Sequence, residues 1–162
     1  MANPERRQEP CAADEHRQFD FWLGAWEVRT PSGELAGHNS ISRIAGSCGL
    51  REEWRGVRGL LGTSLNTYSE ARGAWHQTWI DSSGTLLLLD GGLRDGTMVL
   101  EGEAPLPGAG TGTLRHRISW TVVDGDPDHV RQHWETSGDG TGWETAFDGR
   151  YRRLRAREAA AG

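Results

Sequence analysis

Turn-forming residue pairs divide the central part of this chain into short segments. The frequent turns limit the folds that the chain can adopt. The segments between them are rich in Val, Ile, Leu, Thr and Trp, and none sustains a helical period. Asp-Gly pairs in particular suit the positive-φ positions of tight hairpins. The turn pairs are Ser32-Gly33, Ser83-Gly84, Asp90-Gly91, Asp95-Gly96, Asp124-Gly125, Asp139-Gly140 and Asp148-Gly149. Many short strands joined by such turns indicate an antiparallel sandwich or barrel.

About ten segments are predicted as strands, which is enough to close a barrel that encloses a small ligand. They are Trp26–Arg29, Gly37–Ile44, Cys48–Arg55, Gly62–Ser69, Ala74–Asp81, Thr85–Asp90, Thr97–Glu103, Thr113–Val123, His129–Thr136 and Ala146–Leu154. Phe19–Leu23 is predicted as a short helical turn that plugs one end. The 162 residues suffice for one domain. We expect the barrel over residues 19–154 and flexible tails at residues 1–18 and 155–162.

The amino-acid composition limits the kinds of partner that the protein can bind and the chemistry that it can perform. A net charge of −5 argues against nucleic-acid binding as the main role, because a phosphate backbone calls for a basic face. All 18 basic residues are arginine, so Schiff-base chemistry on a lysine is excluded.

The first residues lack a signal-peptide core, and no apolar run is long enough for a membrane helix. Cys11 and Cys48 are expected to be free thiols. We therefore expect a cytoplasmic monomer or homodimer with no membrane partner.

Strand alternation identifies one candidate for a buried acid. In Cys48–Arg55, one face carries Cys48, Leu50, Glu52 and Trp54, whereas the other is a row of charged residues and glycine. Glu52 is therefore predicted to point into the barrel and Glu53 to point outwards. Burial would raise the pKa of Glu52 and make it a usable acid or base, whereas a buried ion pair with Arg117 would lower it. Both readings stay open.

Other strand faces mix hydrogen-bonding groups with aromatic rings, as small-molecule cavities do. Alternation alone does not decide whether these faces point inwards. The candidate ligand-binding residues are Trp54, Ser64, Asn66, Trp75, Gln77, Trp79, Arg117, Gln132 and Trp134. Tyr68 is a candidate donor to a developing oxyanion, or else a core tyrosine. The eight tryptophans suggest either an aromatic cage or ordinary core packing.

Histidines and glycine-rich loops give no sign of a metal or a nucleotide. His76, His116 and His133 lie within predicted strands, on faces that we predict to be exterior. No nucleophile elbow, P-loop or dinucleotide fingerprint is present. The sequence therefore predicts no metal site.

The segment FDFWLGAWEV at residues 19–28 resembles the opening of a widespread bacterial family of unknown function. The resemblance continues through Gly62-x-Ser64-x-Asn66-x-Tyr68, Trp75-x-Gln77-x-Trp79-x-Asp81 and Arg131-Gln132-x-Trp134-Glu135, to Asp139-Gly140-x-x-Trp143. It implies a calycin (lipocalin-like) barrel, with Glu52, Asn66, Tyr68, Gln77 and Trp79 facing the lumen. It implies no reaction.

The Gly24-x-Trp26 motif resembles the lipocalin signature, in which a basic residue of the last strand lies over the tryptophan ring. Arg150, Arg152 or Arg153 is predicted to take that place. Nitrobindin-like haem barrels share this motif, but their glycine-rich continuation is absent here.

Three functions follow as hypotheses. The first is a barrel that binds an apolar or aromatic metabolite and acts without a cofactor as a cyclase or isomerase of secondary metabolism, with Glu52 as acid or base. The second is a non-catalytic haem or lipid carrier, and its haem version requires a histidine directed into the lumen. The third is a structural or interaction module whose barrel is filled with side chains.

Overall fold

The computed structural model describes residues 9–106, 108 and 110–161, and most of them lie in the strands of one β-sheet. The strands are β1 (Gly24–Arg29), β2 (Leu35–Ile44), β3 (Gly49–Gly56), β4 (Leu61–Ser69), β5 (Ala74–Asp81), β6 (Leu86–Arg94), β7 (Thr97–Pro105), β8 (Thr113–Val123), β9 (Asp126–Ser137) and β10 (Glu144–Arg153). Two 3₁₀ turns, Asp14–Arg17 and Asp20–Trp22, precede β1, and a short helix α1 (Ala156–Ala159) follows β10. No helix among the described residues combines the length and apolarity needed to span a membrane.

The ten strands form a closed antiparallel barrel in which each strand pairs with its neighbours in sequence. β1 closes the barrel by pairing with β10, from Trp26 opposite Arg153 to Arg29 opposite Arg150. This meander follows from tight turns, since Gly33 and Gly125 adopt φ values of +90° and +71°. The prediction of an all-β barrel of about ten strands with a helical turn near the N-terminus is confirmed.

Two of the predicted turn pairs lie inside strands instead. Asp90-Gly91 falls within β6 and Asp148-Gly149 within β10, and neither glycine has a positive φ. A Cβ on Gly91 would lie 2.0 Å from the carbonyl oxygen of Val99 in β7. This glycine therefore permits a close approach of two strands rather than a reversal of the chain.

The end of the barrel next to the 3₁₀ turns is filled with aromatic rings, and we call it the closed end. Phe19 and Trp22 are fully buried there, with ring centroids 4.8 Å apart. Trp120 packs against both of them, at 5.1 Å and 5.3 Å. The Nε1 of Trp26 donates a hydrogen bond of 2.9 Å to the carbonyl oxygen of Trp22. The helical turn thus plugs this end with apolar surface, which is a major source of stability in a small barrel.

An arginine lies over the first strand's tryptophan, as the sequence motif predicts. The guanidinium carbon of Arg153 is 4.2 Å from the centroid of the Trp26 ring. The same guanidinium donates to the carbonyl oxygen of Leu23 at 2.6 Å. It therefore ties the last strand to the plug through a cation–π contact and a hydrogen bond.

The N-terminal segment departs from the prediction of a flexible tail with a free thiol. Cys11 and Cys48 form a disulfide that joins this segment to the connection between β2 and β3. His16 is buried, and its ring lies 5.3 Å from that of Tyr68. Residues 9–18 therefore pack on the closed end, whereas residues 1–8 lie outside the described residues. Because disulfides persist in oxidising compartments, the cysteine argument for a reducing compartment no longer holds.

Candidate functional site

The open end of the barrel contains a cavity of about 500 Å³. Four aromatic residues line its wall: Trp54, Trp79, Trp134 and Phe147. Its mouth lies between the β1–β2 and β3–β4 connections and includes Thr30, Glu34, Val57, Arg58 and Leu60. The volume lies within the range of pockets that bind small molecules. A barrel completely filled with side chains, as the third hypothesis requires, is inconsistent with this cavity.

Glycines on neighbouring strands explain why these large rings do not fill the cavity. A Cβ on Gly62 of β4 would lie 2.1 Å from the Trp79 ring, and a Cβ on Gly37 of β2 would lie 2.8 Å from the Trp54 ring. Each ring therefore lies against the bare backbone of the adjacent strand. Gly149 lies two residues from Phe147 within β10 itself and also leaves room for a ring, with a corresponding distance of 2.7 Å. We call these three positions the glycine seats.

The floor of the cavity is polar, in contrast to its walls. It consists of Glu52 from β3, Gln77 from β5, Gln132 from β9 and Tyr151 from β10. Strand alternation places all four side chains inside the barrel. A molecule in this cavity would thus have its apolar part among the rings and a polar group at the floor.

Glu52 is a buried carboxyl group with hydrogen bonds to both of its oxygens. It is 4% exposed, whereas its neighbour Glu53 is exposed, so the predicted register of β3 is correct. Asn39 Nδ2 donates to Oε1 at 2.8 Å and Ser64 Oγ donates to Oε2 at 2.6 Å. Burial raises the pKa of Glu52 to about 7, against the lowering effect of these two hydrogen bonds. A carboxyl group with this pKa can exchange a proton at neutral pH.

A chain of hydrogen bonds holds the floor in place from below. Asn66 Nδ2 donates to Ser64 Oγ at 2.9 Å, and Gln77 Nε2 donates to Asn66 Oδ1 at 2.7 Å. Ser64 and Asn66 are buried and face inwards, but they support the floor rather than line the cavity. This network fixes the positions of Glu52 and Gln77, because each member satisfies a neighbour's polar group.

The sequence analysis does not identify two residues of the floor network, Asn39 and Tyr151. Tyr151 accepts a hydrogen bond of 2.9 Å from Asn39 Nδ2 and donates one to Gln132 Oε1. Burial and the nearby Glu52 raise the pKa of the Tyr151 hydroxyl well above its usual value, so it stays protonated. Alternation in β2 and β10 could have assigned Asn39 and Tyr151 to the inner face. Neither residue belongs to a motif that would have singled it out in the sequence.

The alternative in which Arg117 pairs with Glu52 is excluded by the structure. Arg117 lies on the outer face of β8, where its Nε donates to Glu135 Oε2 at 3.0 Å. Its guanidinium carbon also lies 4.0 Å from the ring centroid of Trp143. The inner face of β8 carries Ile118 and Trp120 instead, because these apolar side chains fill the interior. Arg117 therefore has no contact with the cavity.

Tyr68 and Trp75 face the interior but belong to the closed end. Their ring centroids are 6.1 Å apart, and Trp75 Nε1 donates to Gln18 Oε1 at 3.2 Å. Neither residue lines the cavity. Their side chains pack against the N-terminal segment, so the phenol that reaches the cavity floor is Tyr151 and not Tyr68.

The prediction that His116 lies on an exterior face is wrong. Its side chain points inwards from β8, and its Nδ1 accepts a hydrogen bond of 3.1 Å from Trp134 Nε1. Burial lowers the pKa of His116, which favours the neutral ring that this bond requires. His76 and His133 bond to Thr78 and Thr145 on the outer surface. Among the described residues, no group of three His, Cys, Asp or Glu side chains is placed to hold a metal ion.

The fold and site together define a class of protein, a closed antiparallel β-barrel with an aromatic-walled cavity over a buried acid. Residues 12–153 match the family model described as "Protein of unknown function (DUF1579)". Because the match covers most of the chain, the chain belongs to this family. No curated protein shows a significant match to the chain.

Proposed function

We propose that this barrel binds an apolar or aromatic metabolite and acts on it as a cofactor-independent isomerase or cyclase. The observation that carries the proposal is the position of Glu52, a buried acid at the floor of an aromatic cavity of about 500 Å³. The glycine seats support it, since they keep the cavity open at the expense of core packing. If the floor network served only to stabilise the fold, the barrel would not need a cavity above it.

In the proposed reaction, ionised Glu52 removes a proton from one atom of the bound metabolite and returns it to another. The proton leaves one bond and enters a new one, so no oxidant or reductant is needed. The amide of Gln132, whose Oε1 is occupied by the Tyr151 hydroxyl, offers its Nε2 as a donor to charge that develops on an oxygen. A ligand that fills the aromatic-walled cavity displaces water from it, and this strengthens these interactions.

The carrier alternative shares the binding step and differs in the chemistry. Nothing in the geometry favours its haem version, because His116 does not line the cavity and its Nδ1 is engaged by Trp134. A lipid carrier would bind in the same cavity without requiring an ionisable acid at the floor.

A native mass spectrometry screen tests the proposal. The purified protein is incubated with extracts of its host, and retained molecules are identified by mass. Ala36→Phe is the matched control, because Ala36 lines the cavity and a larger side chain there reduces its volume. We expect a metabolite that the wild type retains and this variant does not. Retention of nothing, or equal retention by both proteins, would refute binding in the cavity.

Turnover is then followed on the retained metabolite with Glu52→Gln. At a saturating concentration of the metabolite, we expect this variant to lose conversion by about 10²-fold or more, since Gln preserves the shape but cannot exchange the proton. Conversion that is unchanged in Glu52→Gln would leave binding intact and exclude the proposed role of Glu52.

A further inference from the structure

Within the part of the chain that the structure describes, the acid at the cavity floor has no positive partner. Its two hydrogen-bond donors, Asn39 and Ser64, are both neutral. Among the described residues that line the cavity, Arg58 is the one basic side chain, and it belongs to the β3–β4 connection at the mouth. A buried carboxylate without a cation is unusual, because buried charges are normally paired. The missing positive charge can therefore arrive with the ligand.

The walls of the cavity suit a positive charge as well. Trp79 Nε1 donates to Asp81 at 3.0 Å and Trp134 Nε1 donates to His116, so both indole N–H groups are already occupied by the protein. Trp79 and Trp134 therefore present mainly the surfaces of their rings to the cavity. The faces of tryptophan rings attract organic cations electrostatically. The ring faces and the ionised Glu52 would both repel an anion.

We infer that the natural occupant of the cavity is an organic amine in its cationic form, with its ammonium group at Glu52 and its apolar part among Trp54, Trp79 and Trp134. The inference rests on the proposed binding function and names the class of its ligand. The net charge of −5 adds a general attraction for cations. The mouth carries Glu34 as well as Arg58, so it presents both signs of charge.

Binding of such an amine depends on the ionisation of Glu52. The groups that face Glu52 are Asn39 from β2, Ser64 from β4 and Tyr151 from β10. The first two do not titrate, and burial keeps the Tyr151 hydroxyl protonated, so Glu52 governs the pH response of the floor. Because its pKa is about 7 in the free protein, an amine binds best above pH 7. Its affinity should fall about tenfold from pH 8 to pH 6, as the carboxylate becomes protonated.

Three probes of matched size and different charge test the inference: 4-phenylbutylamine, 4-phenyl-1-butanol and 4-phenylbutyrate. Their affinities for the full chain are measured by isothermal titration calorimetry at pH 8 and pH 6. We expect the amine to bind at least tenfold more tightly than the alcohol at pH 8, and the carboxylate to bind most weakly. In Glu52→Gln, the preference for the amine and its pH dependence should both disappear, whereas the matched surface variant Glu53→Gln should retain them.

The outcomes separate this inference from the binding function itself. If the alcohol binds as tightly as the amine, the ligand class is wrong and the binding function stands. If Glu52→Gln prefers the amine as the wild type does, the ammonium does not lie at Glu52 and the inference is likewise refuted. If none of the three probes binds at millimolar concentration, the ligand class is refuted, and the mass spectrometry screen with Ala36→Phe decides the binding function separately.

Discussion

Replacement of Glu52 by Gln should make the stability of this protein less dependent on pH. The carboxyl group has an ordinary pKa of 4.5, which rises to about 7 in the folded barrel. Between these values the folded state binds more protons than the unfolded state, so the free energy of unfolding falls as pH rises. At about 1.4 kcal/mol for each pH unit, the group costs the wild type about 3 kcal/mol once the pH exceeds 7.

Gln at position 52 removes this cost and keeps most of the contacts. Its Oε1 can accept from Asn39 and its Nε2 can donate to Ser64 Oγ, so both neighbours remain bonded. Unfolding in urea at pH values from 4 to 8.5 measures the effect as the difference in stability between variant and wild type. That difference should change by about 3 kcal/mol in favour of the variant across the range. With a slope of about 2 kcal/mol per molar urea, the relative shift in midpoint is about 1.5 M.

The matched control is Glu53→Gln, which alters the exposed neighbour in the same strand. The stability difference of Glu52→Gln is compared with that of this variant at each pH. A constant difference for Glu52→Gln would contradict the burial of an unpaired acid. A difference that changes in the opposite direction, against the variant as pH rises, would show that a cation is paired with Glu52 in the folded state.

Two further predictions concern the glycine seats and the disulfide. Gly62→Ala should push the Trp79 ring into the cavity, since the new Cβ would otherwise lie 2.1 Å from it; we expect a stability loss of about 1–3 kcal/mol by thermal unfolding and a changed tryptophan emission spectrum. The double variant Cys11→Ser, Cys48→Ser should lose about 4 kcal/mol, from the chain entropy released when a crosslink over 37 residues is removed. Its unfolding midpoint in urea should match that of the reduced wild type, and a midpoint equal to that of the oxidised wild type would contradict the crosslink.

Strand alternation predicted the polar floor well where one face of a strand was clearly apolar. Leu50 and Trp54 flank Glu52 on its own face, and this pattern was sufficient to place the acid inside. It failed in β8, where both faces carry residues of mixed character. There the apolar Ile118 and Trp120 decide the inner face, and Arg117 is left outside with Glu135.

Alternation gives the face of a strand but not the depth along the barrel. Tyr68 shares an inner face with Ser64, four residues away, which is about 13 Å along an extended strand. That distance takes it from the floor network into the closed end. Likewise, the pairing of Cys11 with Cys48 depends on where the N-terminal segment folds back, and no local pattern encodes that contact. Tertiary placement of residues 9–23 therefore decides which inward residues meet the cavity.

The plug at the closed end leaves the mouth as the route that serves both arrival and departure of a ligand. A new molecule cannot follow an old one through the barrel, because Phe19, Trp22 and Trp120 occupy the far end. Exchange is then strictly sequential: the resident molecule leaves before the next one arrives. The observed rate of exchange should therefore level off at high competitor concentration, at the intrinsic dissociation rate of the first ligand.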